Sequence, residues 1–170
     1  GIDIITDVEF PASVAVAVVD LEINIASTTT ITADNFSASI SAETGAEAAP
    51  GADQFGLAVA VIVADANVTV AGDITTSGDL SLEASLVNSV SAEAEAASGR
   101  SNFAGNIAVS VIDSDAKVHV TDTSSLTVGG DLSLTASTED ENTTSATSET
   151  EKAGSVGIAF AVAVESGATL

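Results

Sequence analysis

The chain has 170 residues, 45% of them hydrophobic, and sets 25 Asp and Glu against three Lys and Arg for a formal net charge of −22. That charge repels phosphate backbones and anionic lipid, which excludes a nucleic-acid or membrane-inserting role and leaves cations as the favoured small partners. A mean hydropathy of +0.42 excludes a disordered polyanion, and the absence of Cys excludes disulfides and thiolate metal sites.

In chain order, Gly1–Glu9 carries Ile2, Ile4 and Val8 and reads as the tail of an earlier unit, with Pro11 opening the next. Val14–Ile25 (VAVAVVDLEINI) predicts a Val/Ala strand, a short step at Asp20, and a second strand with Leu21, Ile23 and Ile25 on its apolar face. A tight turn at Ala33-Asp34-Asn35 then leads to a third strand whose apolar face is Phe36, Ala38, Ile40 and Ala42.

The same order returns twice. Val59–Val70 (VAVIVADANVTV) precedes a turn at Ser77-Gly78-Asp79 and an apolar face running from Leu80 through Leu82, Ala84 and Leu86 to Ala94. Val109–Val120 (VSVIDSDAKVHV) precedes a turn at Val128-Gly129-Gly130-Asp131 and then Leu132, Leu134 and Ala136. A fourth unit opens at Ile158–Val164 (IAFAVAV). The units run over residues 11–54, 55–102, 103–154 and 155–170, a period of about 45 to 52 residues. One period makes either one wide turn of three or four strands, each about 7 residues and roughly 23 Å long, or two narrower turns fused.

Leu57, Val59, Val61 and Val63 share one face of their strand, and Ala58, Ala60, Ile62 and Ala64 the other, the pattern of a strand covered on both sides. The larger Val face is expected inside, with a flat Ala face outside against a neighbour. Polar residues such as Glu22, Asn24, Asn67, Thr69, Lys117 and His119 are expected toward water. Asn88 interrupts an inward face and needs a partner there. Thr138–Thr150 (TEDENTTSATSET) is expected as an outward loop or an edge with a weak core face. Ser91–Ala97 has helical propensity, but period two fits it better.

Asp20, Asp65 and Asp115 occupy equivalent positions, and Asp113 lies beside the third. Stacked at about 4.8 Å these carboxylates repel unless they splay into water or take a cation, so calcium is the candidate ligand, although neither an EF-hand loop nor a glycine-aspartate nonapeptide is present. His119 is the only imidazole and has no ligand partner at metal spacing. Phe10, Phe36, Phe55, Phe103 and Phe160, the only aromatics, sit in or beside apolar stretches and read as core. With no aromatic platform, phosphate loop or nucleophile motif, the expectation is that the chain is not an enzyme; polysaccharide processing is the enzyme alternative. Asn35, Asn67 and Asn142 begin N-glycan acceptor patterns.

The recurring Val/Ala–Asp–Val step followed by Gly-Asp-Leu-Ser-Leu, at Val59–Ala84 and Val109–Ala136, resembles the repeat arrays of large bacterial surface adhesins of the autotransporter and filamentous haemagglutinin type. The repeats predict an all-β fold with an antiparallel β-sandwich as the alternative, and the resemblance implies a right-handed parallel β-helix (β-solenoid) segment. It implies an exported stalk or spacer at the bacterial cell surface that supports attachment or biofilm. Its partners would be neighbouring repeats of the same chain, with homotypic, protein or glycan contacts. The rival expectation is a binding or self-assembly module of a surface fibre or layer.

Overall fold

The computed structural model describes residues 12–52, 55–98, 103–150 and 156–166, and every regular element among them is a β-strand. The expectations for Gly1–Glu9, Phe10 and Pro11 lie outside the described residues. The first circuit comprises β1 (Ala12–Ile25), β2 (Thr30–Ala33), β3 (Phe36–Ala48) and the short β4 (Gly51–Ala52). The second comprises β5 (Phe55–Val70), β6 (Asp73–Thr76) and β7 (Leu80–Ser98). The third comprises β8 (Phe103–Val120), β9 (Leu126–Val128) and β10 (Leu132–Thr150), and β11 (Val156–Ser166) begins a fourth.

Each strand pairs with its counterpart one circuit away. The three sheets are β1-β5-β8-β11, β3-β7-β10 with β4 also on β7, and β2-β6-β9, and all the pairings are parallel. Parallel pairing throughout replaces the antiparallel sandwich considered above. Register follows the sequence repeat: Asp20 pairs with Asp65 and Asp65 with Asp115, while Phe36, Leu80 and Leu132 share a second row. The period is therefore one wide circuit of three principal strands.

Two expectations need correction together. The strands are much longer than 7 residues, since β5 has 16 and β7 has 19, which at about 3.3 Å each makes walls of roughly 50 to 60 Å. There is no step at the aspartate, because Asp65 lies within an unbroken β5. With Val59 and Val61 inside, the inward set would have to change parity before Ala66, Val68 and Val70, and a step would be required. The strand instead keeps one parity from end to end. Ala58, Ala60, Ile62, Ala64, Ala66, Val68 and Val70 are all fully buried, and Leu57, Val59, Val61 and Val63 lie on the outer face.

Putting alanine inside suits two long sheets laid face to face. The strands of the β1-β5-β8-β11 sheet pack on those of the β3-β7-β10 sheet, and the chain doubles back through the short sheet between them. Ala92 and Ala94 therefore come to the end of the interior where Ala58 and Ala60 lie, and small side chains let the walls approach. At the other end Val68, Val70, Leu80, Leu82, Leu86 and Ile74 fill a wider space, closed by β6. Burying each of these larger side chains contributes about 1.5–3 kcal/mol.

The corner before β3, β7 and β10 is stitched by Asx side chains. Asn35 Oδ1 accepts the backbone N–H of Asp79 at 2.8 Å, and Asp79 Oδ1 accepts that of Asp131 at 2.9 Å. Glycine is needed for the corners to nest: a Cβ on Gly78 would lie 2.3 Å from Asn35 Oδ1, and one on Gly130 would lie 2.3 Å from Asp79 Oδ1.

Candidate functional site

Two polar constellations interrupt this apolar repeat, one on the outer face and one inside. The outer one is the aspartate row. Because β1, β5 and β8 pair without slip, Asp20, Asp65 and Asp115 stand in line on the outward side of the long sheet. Asp65, in the middle, has its pKa raised by burial first and then by the charges of Asp20, Asp115 and Asp113. Asp115 Oδ1 has no hydrogen-bond partner among the described residues.

Asp113 does not join the row. It pairs in register with Val63 and Ser166 two positions away, and its Oδ1 accepts the Ser166 hydroxyl at 2.7 Å. Among the described residues no three His, Cys, Asp or Glu side chains converge to hold a metal ion. The row is a line of single carboxylates, whereas calcium takes a shell of six to eight oxygens.

The inner constellation was visible in sequence only as Asn88. Asn88 is buried, and register places it between Thr44 of β3 and Asp140 of β10, so the three form one inward row. Asn88 Nδ2 donates to Asp140 Oδ1 at 2.7 Å, and Ser114 Oγ, from the opposite wall, donates to Asp140 Oδ2 at 2.8 Å. Further along the same interior Ser110 bonds Asn142 and Thr144, Asn106 donates to the Thr147 carbonyl, and Ser148 donates to the Ala104 carbonyl at 3.0 Å.

These contacts decide between the two expectations for Thr138–Thr150 in favour of the edge with a weak core face. The segment is no outward loop: β10 runs through it, matching β7 residue for residue from Leu132↔Leu80 to Thr150↔Ser98. Its even-numbered residues point inward, and β8 meets them with Ser110 and Ser114 where β5 has Ala60 and Ala64. The interior of the third circuit thus gains hydrogen-bonding positions on both walls at once, set among the aliphatic Ala108, Ile112 and Ala116. The signal was present in the pairing of two distant substitutions, which becomes readable only when the walls are known to face each other.

The match is incomplete. Thr44 Oγ1, Asn88 Oδ1 and Asn106 Oδ1 are buried without a hydrogen-bond partner among the described residues.

The other sequence candidates separate from both constellations. His119 is exposed on the outer face in register with Thr69. Asn142 is turned inward and its Nδ2, the atom that would carry a glycan, donates to the Val164 carbonyl at 3.5 Å, whereas Asn35 is exposed at the corner and held there through its Oδ1. Phe36 is packed against the core as expected, but Phe160 is 61% exposed on the outer face, a correction to its reading as core. The Phe103 side chain lies outside the described residues. No helix among the described residues is long and apolar enough to cross a membrane. Comparison with protein-family models, with curated proteins and with solved structures finds no match to this chain.

Proposed function

We propose that the chain is a stretch of right-handed parallel β-solenoid serving as a structural rod in an exported, repetitive bacterial adhesin. The observation that carries this reading is the unbroken register of all three sheets, reinforced at the corner by the Asn35–Asp79–Asp131 stitching. Each circuit presents the next with a full set of backbone donors and acceptors, so the structure extends by repetition, as solenoids do. The right hand is the one that crossovers between parallel strands overwhelmingly adopt. The carboxylates on the outer side of the β3-β7-β10 sheet, Glu43, Glu83 and Glu139 among them, keep those walls of neighbouring rods apart in solution.

The dimensions qualify the role. A circuit of about 50 residues adds only about 4.8 Å along the stack, so nearly all the chain goes into width. Such a rod is a stiff slab rather than an economical spacer. This favours, as a second reading, a role in assembly for the broad faces themselves.

The test is length against copy number. Chains carrying one, two and three tandem copies of residues 55–154, examined by small-angle scattering, should lengthen by about 10 Å per copy at constant cross-section. Particles that thicken instead, or that scatter as separate beads, would remove the rod.

A further inference from the structure

The outer side of the four-stranded long sheet changes character along its strands. Beyond the aspartate row it is polar, and the row just before it, Val18–Val63–Asp113–Ser166, is half polar; before that the rows running up the stack are aliphatic, as in Val14–Val59–Val109–Val162 and in the next row from Val16 to Val164. These side chains are not covered: Val14 is 64%, Val162 48% and Phe160 61% exposed. Where Gly105 falls between Phe55 and Ile158, the surface dips into an apolar hollow of about 250 Å³ bordered by Ile107 and Phe160. The outer face of the opposite wall is different, with Ser37, Glu43, Glu83 and Glu139 among its residues.

Four strands about 4.8 Å apart and about seven residues at about 3.3 Å each give this aliphatic area a footprint of roughly 400 Å². That is the size of the largest apolar patch an ordinary monomer carries. Two such faces in contact bury roughly 800 Å², and one further circuit brings this to about 1,000 Å², the lower bound for a specific interface. The area is flat and built from one repeated residue type, so it is complementary to itself.

Charge fixes the orientation. Two copies laid together with strands parallel would bring their Asp20–Asp65–Asp115 rows face to face. A two-fold axis that runs the strands antiparallel matches valine to valine and sends the two acidic halves out at opposite ends, into water.

We propose that two copies of this chain pair through the aliphatic half of the outer face, strands antiparallel across a two-fold axis, with the hollow at Gly105 receiving a side chain of the partner. The pairing depends on this face and not on what the rod carries, so it stands or falls separately from the adhesin reading.

Sedimentation equilibrium of the 170-residue chain tests it. The wild type should associate reversibly to a dimer as its concentration is raised to hundreds of micromolar, as suits the small interface that four strands supply. Val59→Lys/Val109→Lys should be monomeric with an unchanged far-ultraviolet circular dichroism spectrum, while Ser37→Lys/Ser89→Lys, on the other wall, should dimerise as the wild type does. Val59→Thr/Val109→Thr keeps the branched shape and should weaken dimerisation by about tenfold or more, which provides a reading if the lysine variant does not fold. A monomeric wild type would overturn the proposal, as would association that survives the threonine pair, since that would run through the open ends of the stack.

Discussion

Asn88 and Asp140 lie 52 positions apart and face inward at the same level, with Asn88 Nδ2 donating to Asp140 Oδ1 at 2.7 Å. The carboxylate also accepts from Ser114 at 2.8 Å, so it ties together two circuits of one wall and crosses to the other. Asp140→Ala would leave two donors without an acceptor inside the stack and should cost about 2–4 kcal/mol in a urea titration. Asp140→Asn, which retains an acceptor, should cost less than half as much. Equal losses for the two would show that the bonds contribute little.

Thr44 belongs to the same row but its hydroxyl lacks a partner among the described residues. Thr44→Val has nearly the same shape and removes a buried polar atom, so it should stabilise the chain by about 1 kcal/mol. A destabilised variant would mean that an ordered water satisfies the hydroxyl.

Inward alanine and outward valine predict opposite sensitivities at adjacent positions. Ala60 is fully buried between close walls, and Ala60→Val should cost about 1–3 kcal/mol through overpacking. Val61→Ala, on the outer face, should cost the monomer about 1 kcal/mol or less. Thermal denaturation at a concentration low enough to avoid association decides between them, and a larger loss at Val61 would put the valines inside.

At the corner, Gly78→Ala places a methyl 2.8 Å from the Asp34 carbonyl oxygen as well as on Asn35 Oδ1. It should cost more than Asn35→Ala, which removes one exposed bond to the Asp79 N–H, for about 1 kcal/mol. The double variant should be milder than the sum, because removing the Asn35 side chain relieves part of the clash.

Asp65 makes stability depend on pH with a definite sign. Its folded pKa is raised, so in the interval between the unfolded value near 3.9 and the folded value the native chain binds more protons than the unfolded one. Stability from this group therefore falls as pH rises through that interval and is lowest once Asp65 is fully ionised. The melting temperature of Asp65→Asn should exceed that of the wild type at pH 7, and the gap should close on acidification. A gap that is constant with pH would assign the gain to something other than charge.

The strands and their pairing were legible because the repeat is written twice, once in hydrophobic period and once in the recurrence of Asp20, Asp65 and Asp115. Which side of the long strand faces inward was not read correctly. Ranking by size puts Val59 and Val61 inside, and that ranking then needs a break at Asp65 to bring Val68 inward. Continuity of parity needs no break, and it becomes the stronger argument once the strand is allowed to be 16 residues long. The acidic row was readable from sequence spacing. The inner polar row was half readable: Asn88 announced a need, but its acceptor lay in a segment whose polarity suggested a loop or a weak-cored edge, and only the facing serines of β8 explain why Asp140 and Asn142 are accepted indoors.

Unbroken parity also decides where such a chain can change length. One residue gained or lost within β5 would exchange every alanine beyond it for a valine or an acid in the interior, whereas the same change at a corner shifts no side chain from one face to the other. Adjacent units drift in length from 45 to 50 residues between Asp20, Asp65 and Asp115 while the strand they occupy stays in step. Tolerance to insertion is therefore confined to the bends, and the long walls are under a reading frame of two.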